Sequence, residues 1–204
     1  MSSCVYTIGH SNHSIESFIS LLQRHEVTAI GDVRSHPYSR FAQQYSQEPL
    51  KAALAAVGIA YVFLGKELGA RSKNTACYKQ GRVQYDLLAK EPLFLEGIER
   101  VKHGMKRYRI ALMCAEKDPI ECHRALLVAR KLFEAGMSVN HILADGFLET
   151  HENMESRLLT VCKLPEGDMF KSRHEFVADA YLIQGERVAY QDEAMAEEER
   201  AAVS

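Results

Sequence analysis

The chain has 204 residues, of which 47% are hydrophobic and 25% charged, with a formal net charge of -2. This is the composition of one globular domain with an appendage, and it excludes a wholly disordered chain, a coiled coil and a collagen-like chain. No apolar run approaches the ~18 residues of a membrane span, and Met1-Ser2-Ser3-Cys4 lacks the basic start and apolar stretch of a secretory signal.

Val5-Tyr6-Thr7-Ile8 reads as a first strand ending in Gly9. Ile15, Phe18, Ile19 and Leu22 follow at helical spacing, with Asn12 or Ser14 as cap. Ala29-Ile30-Gly31-Asp32-Val33 is the second strand, and Leu50, Ala53, Leu54 and Val57 mark a helix stopped by Gly58. Ile59 to Leu64 is the third strand. A polar stretch from Gly65 to Gln84 interrupts the rhythm, and Phe94, Ile98, Val101 and Met105 restore a helix. Arg109 to Cys114 is the fourth strand. Asp118-Pro119-Ile120-Glu121 then reads as a capping box opening a helix that ends at Gly136. Val139 to Leu143 is the fifth strand. Alternating strands and helices of this kind predict an α/β fold. The expected form is an open, doubly wound, Rossmann-like and mainly parallel sheet of about five strands with helices on both faces.

The tail breaks this pattern. A helix is expected from about Phe147 to Val161, and a hairpin around Gln184-Gly185 between Ala180 and Tyr190. The predicted division is an α/β domain over 1–164 and an acidic C-terminal extension over 165–204, with the stretch from Asp192 to Ser204 disordered. The small total charge hides a matching split. Residues 1–150 carry 19 Lys or Arg against 15 Asp or Glu, a net +4, and residues 151–204 carry 6 against 12, a net -6. A basic body suits an anionic partner, and an acidic extension beside it would compete for that surface.

Ligands of open α/β sheets bind at the carboxyl ends of the strands. Reading those ends collects Gly9-His10-Ser11, Asp32-Val33-Arg34-Ser35 with Ser39-Arg40, Gly65 to Arg71, and Cys114-Ala115-Glu116 with Cys122-His123-Arg124. Arg100 to Arg109 is also basic, but falls at the opposite edge. The motifs Thr7-Ile8-Gly9-His10-Ser11, Asp32-Val33-Arg34-Ser35 with Pro37 and Ser39-Arg40, Leu64-Gly65 through Gly69 and Arg71, and Leu112-Met113-Cys114-Ala115-Glu116 with Cys122-His123-Arg124 resemble the domain of unknown function 488 family. They span most of residues 5 to 146. The resemblance implies a fold and a site, with no reaction attached.

The chemistry of the residues suggests more. Arg34, Arg40, Arg71 and Arg124, with Ser11 and Ser35, form a candidate anion-binding set, because the guanidinium fork matches phosphate or carboxylate. The helix opening at Asp118 would aim its positive end at the same anion. His10 and His123 are candidate acid/base groups, Asp32 and Glu116 candidate carboxylates, and Cys114 a candidate nucleophile. Cys122 shares a helical stripe with Ala125, Leu126 and Ala129 and reads as a buried residue. Glu116, Asp118 and Glu121 oppose a phosphatase-like cysteine loop. Lys73, Tyr78, Lys79 and Arg82 interleave bases with aromatics, as a nucleic-acid-binding loop would. The 5 cysteines, Cys4, Cys77, Cys114, Cys122 and Cys162, form no CxxC pair, which fits free thiols in a reducing cytosol. No residue pair has the spacing of a common metal motif, so no metal is expected, and no GxGxxG or P-loop points to a particular cofactor.

The expectation is a cytoplasmic enzyme, free of the membrane, that takes a nucleotide or nucleic-acid-linked anionic substrate. The alternatives are a non-catalytic nucleic-acid-binding or nucleotide-sensing module, and a thiol, redox or sulfur-transfer protein using Cys114.

Overall fold

The computed structural model describes residues 4–203. Its main sheet has six strands in the order β3-β2-β6-β1-β7-β8: β1 (Cys4–Gly9), β2 (Ala29–Asp32), β3 (Ala60–Phe63), β6 (Ile110–Cys114), β7 (Ser138–Ile142) and β8 (Leu148–Thr150). The first five are parallel, and β8 adds an antiparallel edge to β7. A small separate hairpin joins β4 (Tyr78–Lys79) and β5 (Arg82–Val83).

The alternation of side chains along each strand divides the core between two faces. Tyr6, Ile8, Ile30, Ala111 and Met113 point to one face and pack against α1 (Ile15–Arg24) and α2 (Gln47–Ala56) through Phe18, Leu22, Leu50 and Leu54. Val5, Ala29, Ile110, Leu112 and Cys114 point to the other. That face is covered by α5 (Pro92–Gly104), a π-helical segment Arg124–Ala129, α6 (Arg130–Glu134), α7 (His151–Cys162) and α8 (Arg173–Val188), behind two short helices, α3 (Gly65–Leu68) and α4 (Tyr85–Leu88). The fold is thus the expected doubly wound, Rossmann-like α/β sheet.

Strand register brings the site together. Gly9 lies opposite Cys114, and Asp32 opposite Met113. The ladders run on past the strands, through His10 N–H to Cys114 O (2.9 Å), Ser11 N–H to Ala115 O (2.9 Å) and Val33 N–H to Met113 O (3.1 Å). Three central strands therefore deliver their next residues to one edge.

Four local expectations are corrected. The helix opening at Asp118 is a single 3-10 turn, Pro119–Glu121. Asp118 does cap Ile120 N–H, but the chain then extends at Cys122 (φ -142°, ψ 140°) before the π-helical segment begins. Both carboxylate oxygens of Asp118 are also taken by Arg157. The helix expected from Phe147 begins at His151, because Leu148–Thr150 pairs with β7 and Thr150 caps α7. The expected hairpin is the interior of α8, opened by a capping box of Ser172 and Glu175. Gly185 faces the Tyr85 ring, at a distance that would also admit a Cβ. The acidic stretch expected to be disordered is helical as α9 (Glu193–Val203), rich in the strong helix formers alanine and glutamate; Ser204 lies outside the described residues.

The extension is not a separate layer. Phe176, Val177, Ala180 and Tyr181 of α8 join the same buried cluster as α7. Beyond α8, Val83 N–H donates to Tyr190 O and Asp192 N–H to Gly81 O, which docks the chain on the β4–β5 hairpin. No helix among the described residues is long and apolar enough to cross a membrane.

A buried polar chain runs from β1 to α8: Thr7 to His141 (2.8 Å), His141 to His151 (3.1 Å), His151 to Tyr181 (2.9 Å) and Tyr181 to Glu155 (3.1 Å). Glu155 ends it as an acceptor, so each group donates toward it: Tyr181 O–H to Glu155, His151 Nε2–H to Tyr181, His141 Nε2–H to His151, and Thr7 O–H to His141. This order requires both imidazoles to be neutral. Burial pushes His141 well below the usual histidine range and His151 down to about 4. An unfolded histidine titrates near ~6.5, so these groups contribute stability that is complete above that pH and is lost as pH falls toward 4. Urea unfolding at pH 7.5 and 5.0 should show a loss of about 2 kcal/mol per buried imidazole. A midpoint unchanged between the two pH values would contradict the neutral chain.

Candidate active site

The loop from β6 to the π-helical segment carries most of the chemistry. Arg124 lies inside it, fully buried. Its guanidinium donates to Cys114 Sγ (2.7 Å), Glu116 O (2.6 Å) and Lys117 O (3.2 Å), while its Nε has no partner among the described residues. Burial works against this charge, but the Cys114 and Cys122 sulfurs outweigh it and hold the guanidinium protonated. Gly9 makes the arrangement possible: a Cβ there would sit 1.8 Å from Glu116 O. Gly65, the first residue of α3, does the same beside the end of β2, where a Cβ would lie 1.9 Å from Arg34 O.

Both cysteines converge on Glu116. Cys122 S–H donates to Glu116 Oε2 (2.8 Å), and the Arg124 amide N–H points back at Cys122 Sγ (3.4 Å). The sulfurs of Cys114 and Cys122 and a Glu116 oxygen lie within 4.8 Å of one another. Burial opposes charge on Glu116, but hydrogen bonds from both thiols prevail and hold its carboxyl below the usual range. Burial pushes the Cys114 thiol well up, reinforced by Cys122 and only partly offset by Arg124. His123 Nε2–H donates to Val33 O (3.0 Å), which leaves its Nδ1 lone pair facing Cys122 Sγ at 3.7 Å.

The β2 end is built around a second arginine. Asp32, fully buried, takes Arg34 in a two-pronged ion pair (2.9 and 2.7 Å) and accepts Tyr61 O–H (2.7 Å). Arg34 also donates to Tyr45 O (2.8 Å) and faces His10 Nε2 (3.3 Å). His10 stacks on Tyr45 and donates from Nδ1 to Ser11 O, so its Nε2 accepts from Arg34. Burial pushes this imidazole down to about 4, against the effect of its Ser11 hydrogen bond.

Between these two clusters opens a cleft of ≈ 370 Å³. Of the residues singled out in the sequence, His10, Arg34, Ser35, Arg71, Cys114, Glu116 and His123 line it. Asp32 and Arg124 lie behind its wall, Ser11 falls outside it, and Arg40 is an exposed loop residue away from it. The loop set divides. Lys73 and Tyr78 line a neighbouring hollow of ≈ 730 Å³, which shares Ser35, His36, Arg71 and Tyr190 with the cleft. Arg82 instead binds Glu186 O and Gln191 of the extension, and Lys79 is exposed on β4. The wall also holds residues that the sequence does not identify as site residues, among them Cys122, Tyr190, His36 and Tyr38. Cys122 is buried, as its sequence position predicts, and it also lines the cleft. Tyr190 arrives from the extension and stacks under the Arg71 guanidinium (4.2 Å), with no local signal to announce it. His36 hydrogen-bonds Arg71 at the mouth.

The electrostatics follow. Arg34 is neutralised by Asp32, and Arg124 is sealed from the cleft, so Arg71 is the exposed lining guanidinium among the described residues. Replacing Asp32 with Asn strands a buried charge and should cost about 3–5 kcal/mol, while Arg71→Ala should stay within about 0.5 kcal/mol. Urea unfolding of the two variants tests this, and equal losses would show that Arg71 is also part of the scaffold.

Neither the curated proteins nor the solved structures gave a match to the chain. The family model described as "Domain of unknown function DUF488" matches residues 14–131, from α1 to the start of α6, and so includes Arg34, Arg71 and the whole Cys114-to-Arg124 loop. The protein belongs to the DUF488 family.

Proposed function

We propose that the protein is an enzyme acting on an anionic, nucleotide-like substrate, with the floor of the cleft as its reacting centre. One observation carries this reading: Cys114, Glu116, Cys122 and His123 meet on the floor of a cleft that has Arg71 at its mouth. Two central strands and their loops converge there, and a fold has no structural need to gather two thiols, a carboxylate and an oriented imidazole in one place. The cleft volume falls at the lower end of the usual range for small-molecule sites, about 300–1,000 Å³.

Each group has a role in this reading. Arg71, backed by Tyr190, anchors the anionic group, and Ser35 Oγ fixes the Arg71 backbone by accepting its N–H (3.1 Å). Tyr190 and Tyr38 offer flat faces for a planar base. His123 Nδ1 is the lone pair available to take a proton, since His10 Nε2 is occupied by Arg34. Glu116 holds the thiol protons. Asp32, Arg34 and Arg124 are positioning residues.

A second reading is favoured by the neighbouring hollow. Lys66, Arg71 and Lys73 line it, beside Glu67, Glu91 and Asp192, and its continuation of the cleft outward suits a nucleic-acid strand better than a single nucleotide. Isothermal titration with nucleoside mono- and diphosphates, inorganic phosphate and a short single-stranded oligonucleotide separates the two. Arg71→Ala should weaken nucleotide binding about tenfold with unchanged unfolding. Lys66→Ala with Lys73→Ala should weaken only the oligonucleotide. Absence of binding by every probe would overturn both readings.

A further inference from the structure

We propose that Cys114 Sγ, Cys122 Sγ and the Glu116 carboxylate form a binding site for one thiophilic divalent cation of the zinc class. This deepens the function proposed above, because the cation would sit on the floor of the same cleft.

The geometry points to it first. The three donor atoms lie within 4.8 Å of one another. A tetrahedral zinc site, with Zn–S of about 2.3 Å, places its sulfurs about 3.8 Å apart. The cluster therefore needs only small side-chain adjustments to close on a cation. The donors come from fixed backbone: Cys114 is the last residue of β6, Glu116 is tied through its carbonyl to Arg124, and Cys122 sits between a 3-10 turn and the π-helical segment. Two sulfurs and one carboxylate oxygen form a soft donor set that favours zinc over magnesium or calcium.

Each sulfur has an N–H of Arg124 aimed at it. The Arg124 guanidinium points at Cys114 Sγ, and the Arg124 amide N–H at Cys122 Sγ. Donors of this kind orient ligating sulfurs and hold their negative charge. The charges also close: two thiolates and one carboxylate, against a divalent cation and the buried Arg124, sum to zero. Both sulfurs and Arg124 are buried while Glu116 is exposed to the cleft, and this balance lowers the cost of holding the buried charges.

Three protein ligands leave a fourth position, and Glu116 and Cys122 both face the cleft. An open position of this sort distinguishes reactive zinc from structural zinc. Bound water or the anionic group of a substrate would complete it. His123 Nδ1, on a ring held by the Val33 carbonyl and 3.7 Å from Cys122 Sγ, would be a lone pair beside that position.

Cobalt titration of the reduced, chelator-treated full chain tests the site. The expected result is a sulfur-to-cobalt charge-transfer band that saturates at one equivalent and is abolished by zinc. Cys122→Ser should lose the band, Glu116→Gln should weaken cobalt binding about 10–100-fold, and Cys162→Ser should leave it unchanged. Circular dichroism confirms that each variant is folded, and Cys122→Ser serves where Cys114→Ser does not fold. A reduced wild type that takes up no cobalt, or a band that survives Cys122→Ser, overturns the site. The nucleotide titration is read separately. Cobalt uptake without nucleotide binding removes the substrate reading alone, and nucleotide binding without cobalt uptake removes the cation alone.

Discussion

Arg124 is a cation placed where water cannot reach it, and its guanidinium contacts one sulfur and two backbone carbonyls rather than a carboxylate. A buried charge of this kind is costly unless its hydrogen bonds are made. Those bonds fix the path of the loop after β6. They draw the Glu116 and Lys117 carbonyls inward and turn the Glu116 side chain toward the two thiols. They also bring the Glu116 carbonyl so close to β1 that only glycine fits at position 9. The Gly-His-Ser sequence after β1 and the Cys-His-Arg sequence before the π-helical segment are thus two halves of one packing solution.

Arg34 performs the same service on the opposite face of the sheet, but by ordinary ion pairing. Asp32 neutralises it, Tyr61 completes the carboxylate's hydrogen bonds, and the guanidinium holds His10 in a single neutral tautomer. Two of the arginines that look most like ligand-binding groups in the sequence are therefore framework. Their burial gives the cleft a rigid wall, and it leaves Arg71, at the rim, as the exposed lining guanidinium among the described residues. The division has a physical logic: a charge that must stay fixed belongs in a low dielectric with its partners, and one that must exchange water for ligand belongs at the surface.

The C-terminal extension completes the site rather than decorating it. α8 packs into the main core, and the segment after it pairs with the β4–β5 hairpin, which brings Tyr190 under Arg71. The acidic region is no loose tail, and its Asp192 lines the hollow with Arg71 and Lys73. Arg82 is tied to the Glu186 carbonyl and to Gln191, and the polar stretch after β3 becomes a braced wall.

Much of this was legible in the chain. Apolar runs such as Ile110 to Cys114 and helical stripes such as Phe18 and Leu22 report burial directly, so the strands, the main helices and the site-bearing edge follow from local periodicity. The short elements did not follow. The Ser172 and Glu175 box starts a helix that a Gln-Gly pair does not stop, and Cys122 leaves its helical stripe because the chain extends there before re-entering a helix. The sequence alone determined which residue types stand at the carboxyl edge: arginines, histidines, thiols and carboxylates. Only the tertiary structure decided which of them are spent on one another. That outcome depends on burial and on distances between residues far apart in the chain, and neither is written in the spacing of a single segment.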